Sequence, residues 1–510
     1  MKPSSFPRAQ RTLINFGILV IAIAVSVTAI VQSSYFMMGA LIGALFLPFL
    51  IESPSWLMIV VIGLFGTELT FPSLPSSLSL HSFLAAVLSV WLLVRHLIVR
   101  TEVPFRQSQH TVSSVFLFLY LATLVLIMTV RGTGMRYLGS EEWGGGKYFL
   151  LFISAAFFWA APFQRLTERQ WKIAFVFLTI GYLLPFVAQW IISASGGQFD
   201  IDQYVKSAFS DTPTVQNEDL QTSLVRDYPL AALGTAIGLS ALVLLPVRFP
   251  YVLLSAALIL VAVVFVGMAG YRSHFMILVG TIVMYSFVFR ENRSWRRQLF
   301  ILLLIGVTCW SFLFLITPYL PPIAQRSLSI VPGLGINEVV QESATGTVGW
   351  RIDLWQFSLQ MSAPYRWLGR GFLFNPEELP VFDYATGHLF MYLRHSYHNG
   401  PLSLLIDTGI PGLIFCSGFF IASIVESRRL LGLIPSETVF GRAYRALYAY
   451  LIVQVIYFYG LIGDPVSSVS QILFIFTLLK VLIVSHLSGK PTAPAVSAFP
   501  PTSTPEKTPS

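Results

Sequence analysis

Apolar runs of about 20 residues recur along this chain of 510 residues, and they limit its fold more than any other feature. A bilayer interior contains no water, so a segment that crosses it must satisfy its own backbone hydrogen bonds, as a helix of about 20 apolar residues does. Only 11% of the residues are charged, which is less than half of the fraction in ordinary soluble domains. The sequence therefore predicts an all-α, polytopic integral membrane protein.

The apolar runs predict about 14 transmembrane helices. The predicted parts are a cytoplasmic N terminus (1–12), eleven transmembrane helices (13–317), a large loop (318–401), three transmembrane helices (402–486) and a disordered cytoplasmic tail (487–510). The spans are 13–31, 36–51, 55–69, 80–99, 112–130, 148–163, 171–193, 228–247, 251–267, 271–289, 299–317, 402–425, 444–463 and 466–486. Pro48 and Pro54 also allow 36–51 and 55–69 to form a re-entrant pair, which would leave about 12 spans.

The basic residues indicate the orientation. With the N terminus inside, 21 of the 32 Lys and Arg residues lie on the inner side, as the positive-inside rule requires. The formal net charge of +8 is therefore explained by membrane orientation, and no nucleic acid partner is expected. Cys309 and Cys416 lie within apolar runs, so neither a disulfide framework nor a thiolate metal site is predicted. Both termini are expected inside, and the loop 318–401 outside.

The loop 318–401 contains too many aromatic residues for a disordered segment. Its apolar residues predict an amphipathic helix over 350–361 that lies at the membrane interface, and Pro364 is expected to stop that helix. Because helices buried in lipid surround this loop, aqueous chemistry is expected there.

Several arginines are candidates for binding an anion. Arg272 is expected about one turn inside the outer end of its span, where a charge needs a partner or a wet cavity. It alternatively snorkels to the interface or pairs with a carboxylate such as Asp227. Planar guanidinium groups suit phosphate oxygens, although loop arginines are commonly solvated surface charges. The loop arginines are Arg351, Arg366, Arg370 and Arg394.

Two histidines directly precede the span 402–425. The imidazoles of His395 and His398 titrate near neutral pH and can accept a proton from a hydroxyl, and the turn that begins at Asn399 can fix them at the mouth of the bilayer. A metal site is the alternative, with Asp383 or His388 as a third ligand.

A second metal alternative comes from Asp200 and Asp202, which have the Asp-x-Asp spacing by which some glycosyltransferases hold a divalent ion. In an acidic polar loop, however, this short pattern is more typical of solvated carboxylates.

Four motifs carry a family resemblance: Gly-Trp-Arg-Ile-Asp-Leu-Trp (349–355), Leu-Gly-Arg-Gly-Phe (368–372), His-Ser-Tyr-His-Asn-Gly (395–400) and Asp-Thr-Gly-Ile-Pro-Gly-Leu (407–413). Over 267–413 the chain resembles the O-antigen ligase and bacterial polysaccharide polymerase superfamily. The resemblance implies a metal-independent, inverting glycosyltransferase of the GT-C class without a cofactor. It also implies a donor glycan on undecaprenyl pyrophosphate and an active site on the periplasmic side of the bacterial inner membrane.

The resemblance also assigns residues. The histidine that activates the acceptor hydroxyl falls on His398, and the two arginines at the donor pyrophosphate fall on Arg351 and Arg272. The sequence Tyr-Arg-Ser-His (271–274) departs from the Ser-Arg-Gly pattern of many members. Residues expected to support the site are His395, Asn399, Arg394, Arg370 and Asp353.

Two activities remain open within the superfamily. The protein either joins repeat units into a longer glycan, in which case a chain-length regulator is a candidate partner, or it transfers a finished glycan to an acceptor such as lipid A–core. The motif His-Asn-Gly-x-Leu-x-Leu-Leu-x-x-Gly-Ile-x-Gly (398–412) favours the polymerase. A flippase or transporter of lipid-linked sugars is the alternative from another class, but transport sites generally place ionisable groups near the midplane.

The topology predicts the exposure of the loop 318–401. In intact cells whose outer membrane has been permeabilised, a Ser343→Cys variant is expected to react with a membrane-impermeant maleimide. Labelling that occurs only after lysis would reverse the orientation and remove the proposed chemistry from the outer face.

Overall fold

The structure is a computed structural model, which describes residues 53–67, 79–99, 112–134, 144–194, 226–245, 249–289, 295–373, 387–460, 463–464 and 466–488. All regular elements within these ranges are helices, which confirms the all-helical prediction. The predicted spans 13–31 and 36–51, most of the tail 487–510, and Asp200, Asp202 and Asp383 lie outside the described residues.

Fifteen α-helices lie within the described ranges. They are α1 (Pro54–Gly63), α2 (Leu80–Val99), α3 (Val112–Arg131), α4 (Gly145–Ala160), α5 (Glu168–Ala194), α6 (Tyr228–Leu244), α7 (Tyr251–Met268), α8 (Arg272–Phe289), α9 (Trp295–Ile316), α10 (Pro322–Leu328), α11 (Glu338–Met361), α12 (His388–Leu393), α13 (Gly400–Leu430), α14 (Val439–Gly460) and α15 (Ser467–Ser488). Nine of the helices in these ranges are long and apolar enough to cross a membrane. The described part of the chain is therefore a polytopic membrane protein, and the total of about 14 spans stays a prediction.

Most predicted spans coincide with a helix, and two predictions need correction. The predicted span 55–69 is too long, because α1 has only 10 residues and is followed by a turn that includes Gly66, whose φ is 73°; the alternative of a re-entrant pair stays a prediction. Arg272 is the first residue of α8 and does not lie one turn inside it. Helix α7 ends at Met268, and the turn that contains Gly270, with a φ of 76°, separates it from the start of α8 at Arg272.

The helices form one bundle with a continuous apolar core to which α1 to α6, α8 and α13 to α15 contribute. Helix α14 lies inside this bundle, and its Arg442 donates a hydrogen bond to the Val243 carbonyl at 2.9 Å. Helix α9 lies at the outside of the bundle, since none of the residues in its apolar stretch is buried inside the protein. An apolar helix so exposed is compatible with lipid rather than water.

Much of the predicted loop 318–401 is helical. The expected helix over 350–361 is part of α11, which begins at Glu338 behind an N-cap in which the Asn337 side chain accepts from the Val339 amide at 2.9 Å. It ends at Met361, shortly before Pro364, as predicted. Helix α12 follows at His388, and a short turn then leads into α13.

Helix α13 is broken at Gly409, which has φ 70° and ψ −176°. Pro411 has no N–H, so the Asp407 carbonyl lacks its usual partner within the helix. The segment 366–371 supplies the missing bonds: Arg370 N donates to Ile406 O at 2.7 Å, Gly371 N to Asp407 O at 2.9 Å, and Ile410 N to Arg366 O at 2.9 Å. The motifs 368–372 and 407–413, which are far apart in sequence, therefore form one substructure.

Close packing of backbone explains a glycine in each motif. A Cβ on Gly369 would collide with the Asp407 carbonyl, and a Cβ on Gly409 would collide with the Trp367 carbonyl. Both glycines also have φ values near 70°, in the left-handed region that other residues enter at a cost of about 1–2 kcal/mol. This substructure fixes the beginning of α13, to which the predicted histidines are attached.

Candidate functional site

The turn 395–399 joins α12 to α13 and has an unusual backbone. His395 and His398 both have positive φ, 60° and 53° respectively, and such strained residues are enriched at functional sites. Asn399 caps α13, because its side-chain oxygen accepts from the Leu402 amide at 3.0 Å. The Ser403 hydroxyl donates to the Asn399 carbonyl at 2.6 Å. The cap holds the end of the turn against the helix.

His395 is fully buried beneath this turn and engages both of its ring nitrogens. Nδ1 lies 2.7 Å from Asp407 Oδ1, and Nε2 donates to the Leu373 carbonyl at 3.1 Å. The Tyr397 hydroxyl donates to the same carboxylate oxygen at 3.0 Å. Neither nitrogen is therefore open to a substrate, and the arrangement anchors the turn to the break in α13.

His398 is held differently. It is only partly buried, and its ring lies 6.1 Å from that of Trp350 on α11. Burial lowers the pKa of His398 to about 4, and the positive charge of Arg351 contributes to this shift while Asp464 opposes it. At neutral pH the imidazole is consequently unprotonated, which is the form that accepts a proton.

Helix α11 brings Arg351 to the turn. Trp355, one helical turn further along, donates its indole N–H to the Tyr397 carbonyl at 2.9 Å, so the face that carries both residues is directed at the turn. Burial lowers the pKa of Arg351, the Tyr457 hydroxyl opposes this shift and the charge of Arg226 adds to it. The Arg351 Nε atom is buried without a protein partner in the described part of the chain.

Arg272 faces the same region from α8. Its Nη1 donates a long hydrogen bond of 3.5 Å to the Ala344 carbonyl on α11, and the charges of Arg351 and Arg226 act on it. Asp227 does not pair with Arg272, since its carboxylate caps α6 by accepting from the Leu230 amide at 2.8 Å. The alternative interpretation, an ion pair between Arg272 and Asp227, is therefore wrong.

Three arginines from separate parts of the sequence therefore interact electrostatically: Arg226, Arg272 and Arg351. Among the described residues no ion pair connects any of these three to a carboxylate. Like charges held together without counter-ions repel one another, and a multivalent anion relieves that repulsion. The three residues, called the arginine triad below, form a candidate anion site.

The other predicted residues lie apart from the triad. Arg370 donates to the Tyr392 carbonyl at 2.8 Å and covers the Tyr392 ring at 4.5 Å. Arg394 lies over the Phe390 ring at 5.3 Å, and its carbonyl accepts from Lys147 Nζ at 3.2 Å. Asp353 and Arg366 are exposed. The contacts of Arg370 and Arg394 support the fold around the histidine turn.

Neither Arg226 nor Asp407 was predicted from the sequence as a residue of the site. Arg226 immediately precedes the predicted span 228–247 on the expected outer side, where the positive-inside rule makes basic residues uncommon, and that position was a usable signal. Asp407 belonged to a quoted motif, but its contact with His395 depends on the break in α13, which periodicity does not reveal.

No group of three or more His, Cys, Asp or Glu side chains suitable for a metal occurs within the described ranges. His395 also uses both nitrogens for protein hydrogen bonds, so it does not act with His398 as a ligand pair in this arrangement.

The fold and the site define a multi-pass helical membrane protein with a histidine and an arginine cluster at one site. Residues 266–417 match the family model Wzy_C, described as O-Antigen ligase, and this segment includes Arg272, Arg351 and His398. This segment is therefore similar to the O-antigen ligase family, which confirms the resemblance. No curated protein matches the chain. The family supports a membrane enzyme of O-antigen or polysaccharide processing and does not favour a flippase.

The buried pair of His395 and Asp407 predicts a large difference between two aspartates. Asp407→Ala leaves His395 without its partner, and breaking a buried pair costs about 3–5 kcal/mol. Asp353→Ala removes an exposed carboxylate and is expected to change stability by no more than about 0.5 kcal/mol. Thermal unfolding of the purified variants in detergent measures both effects. Equal melting temperatures for the two variants would refute the anchoring role of Asp407.

Proposed function

We propose that the protein is a glycosyltransferase that uses an undecaprenyl-pyrophosphate-linked glycan as donor at the periplasmic face of the inner membrane. The observation that carries the proposal is the convergence of an unprotonated His398 with Arg351, whose charge acts on that imidazole, and with the other two members of the arginine triad. A base and fixed cations are the two groups that such a transfer requires.

In the proposed reaction His398 takes the proton of an acceptor sugar hydroxyl. The hydroxyl oxygen attacks the anomeric carbon of the donor from the side opposite the pyrophosphate, which inverts the configuration. The bond between that carbon and the pyrophosphate oxygen breaks, and the electron pair leaves with undecaprenyl pyrophosphate. The arginine triad stabilises the charge of this leaving group, so the reaction needs neither a metal nor a cofactor.

Binding of the donor also strengthens the base. Arg351 contributes to the low pKa of His398, and a pyrophosphate bound to Arg351 offsets that positive charge. The pKa of His398 then rises toward the neutral range, where an imidazole is the best-matched base. The acceptor is therefore activated when the donor is already in place.

We further propose that the acceptor is another glycan, so that the protein polymerises repeat units of a surface polysaccharide or exopolysaccharide. The sequence motif 398–412 supports this choice. The partners expected for a polymerase are the lipid-linked oligosaccharide, the growing glycan and a chain-length regulator. A ligase that transfers the glycan to lipid A–core uses the same site, and incubation with each acceptor in turn distinguishes the two.

The proposal is tested with purified protein and the lipid-linked donor, with the product separated on a gel. Arg272→Lys and Arg351→Lys keep the charge but lose the bidentate fork, and each is expected to lower the rate about 10- to 100-fold. Arg366→Lys is the matched control, because Arg366 is exposed and outside the triad. Rates close to wild type in both triad variants would contradict a phosphate clamp.

The same assay tests the base. His398→Ala is expected to lower the rate about 10²- to 10⁴-fold, while His388→Ala, whose ring also lies near Trp350 at 5.6 Å, keeps most of the activity. His395→Ala is expected to retain more activity than His398→Ala in whatever fraction folds. All measurements include EDTA. Wild-type activity in His398→Ala, or activity lost to EDTA and restored by a divalent ion, would overturn the metal-independent mechanism.

A further inference from the structure

A cavity of about 370 Å³ lies inside the helix bundle, and His398 is not one of the residues that line it. Helices α2, α4, α5, α6, α8, α14 and α15 contribute to its walls, together with the turn that follows α1. Its volume is within the range of small-molecule sites. None of the residues that line it is acidic, lysine or arginine, so the cavity suits an uncharged group.

His81 presents a hydrogen-bond acceptor at this cavity. Its Nδ1 lies 2.9 Å from the Val61 carbonyl, and because a carbonyl only accepts, Nδ1 carries the proton. In the neutral ring Nε2 then has a lone pair. The described structure gives Nε2 of His81 no protein donor.

His274 is compatible with the same tautomer. The Thr235 hydroxyl lies 3.0 Å from the Ala231 carbonyl and 3.3 Å from His274 Nδ1, and when the hydroxyl donates to the carbonyl its oxygen accepts from Nδ1. The remaining lone pair is again on Nε2. Two imidazoles from separate helices thus offer acceptors in one cavity.

Ser470 adds a hydroxyl, which can donate a hydrogen bond. Its hydroxyl is buried and has no hydrogen-bond partner within the described residues, although Ser470 lines the cavity. Buried polar groups that lack partners cost free energy until a ligand or water satisfies them. Aromatic rings, including those of Phe65 and Tyr228, complete the walls. Hydroxyls that pair with the acceptors and a ring face that packs on the aromatic walls are the features of a sugar.

The cavity is next to the arginine triad. The His274 ring lies 5.3 Å from that of Tyr228 and 6.1 Å from that of Tyr271, and the Arg226 guanidinium lies 5.8 Å from the Tyr271 ring. The Tyr271 ring is therefore a neighbour of both Arg226 and His274, and Arg272 lies two residues before His274 on α8. The triad thus borders the part of the cavity wall that His274 and Tyr228 form.

We infer that this cavity binds the donor sugar that is attached to the pyrophosphate. The inference rests on the proposed function and extends it to substrate recognition. The isoprenoid on the other side of the pyrophosphate fits less well, because it offers no donor to the two Nε2 atoms and no partner to the Ser470 hydroxyl. A sugar satisfies all three groups.

Binding of two probes to the full-length protein in nanodiscs tests the inference. The probes are undecaprenyl pyrophosphate and the same lipid carrying one N-acetylglucosamine, and microscale thermophoresis gives both Kd values. The wild type is expected to bind the sugar-bearing probe more tightly. Ser470→Ala removes a hydroxyl without a protein partner, so the protein should fold normally while the preference falls about two- to tenfold. His81→Phe and His274→Phe are expected to reduce it similarly.

Ser311→Ala on the exposed helix α9 is the matched control, since that hydroxyl bonds only within its own helix, and it should keep the preference. Equal Kd values for the two probes in the wild type, as expected for a cavity that holds water, would overturn the inference. Equal weakening of both probes in the cavity variants would assign the cavity to the isoprenoid instead.

The two proposals fail differently in this experiment. Loss of the sugar preference in the wild type, with binding of both probes still weakened by Arg272→Lys and Arg351→Lys, rejects the cavity inference and leaves the phosphate clamp intact. Binding that is unaffected by the arginine variants rejects the clamp. If neither probe binds the wild type, the proposed function fails and the inference that rests on it fails as well.

Discussion

The contact between His395 and Asp407 is the interaction on which the site depends. It joins a turn before α13 to the break within α13 at a distance of 2.7 Å, and both side chains are fully buried. The break exists because Pro411 has no N–H to donate. Backbone N–H groups of the segment 366–371 donate instead to the carbonyls of Ile406 and Asp407. Irregular backbone of this kind is tolerated at membrane depth only where protein encloses it.

The charges at the site follow from this scaffold. The anchored turn places His398 beside α11, and α11 carries Arg351 on the face that Trp355 docks against the turn. Arg272 and Arg226 approach from the beginning of α8 and from the residue before the N-cap of α6. The protein thus holds a deprotonated imidazole close to cations that have no carboxylate partner among the described residues, an arrangement that is unfavourable by itself and that an anionic substrate relieves.

Much of the fold was predictable from the sequence, because a bilayer permits few alternatives for a run of about 20 apolar residues. The bounds of α2, Leu80–Val99, agree with the predicted span 80–99. Helix α1 was predicted too long, since hydropathy does not register that Gly66 turns the chain. The extent of α11 was also missed, because the apolar residues Val340, Ala344 and Val348 of its first half form only a narrow stripe among polar residues.

The sequence identified most residues of the candidate site, but it did not predict how they are arranged in space. His398, Arg351 and Arg272 were identified through motifs, whereas the different roles of the two histidines depend on burial. His395 and His398 are three residues apart and chemically identical, yet one is enclosed by Asp407, Tyr397 and the Leu373 carbonyl. Arg226 joins the triad through an electrostatic interaction with Arg272, and its position on the outer side was the one sequence signal for it.

The pH dependence of the purified enzyme tests the coupling of His398 to the arginine triad most directly. Burial and Arg351 lower the pKa of His398 from 6.5 to about 4, so kcat/KM, which reports the free enzyme, is expected to fall only well below pH 6.5. The acid limb of kcat should lie at higher pH, because the bound pyrophosphate offsets the charge of Arg351. Acid limbs of both parameters at pH 6.5 or above, or a limb of kcat/KM that does not move upward in Arg351→Gln, would contradict this coupling.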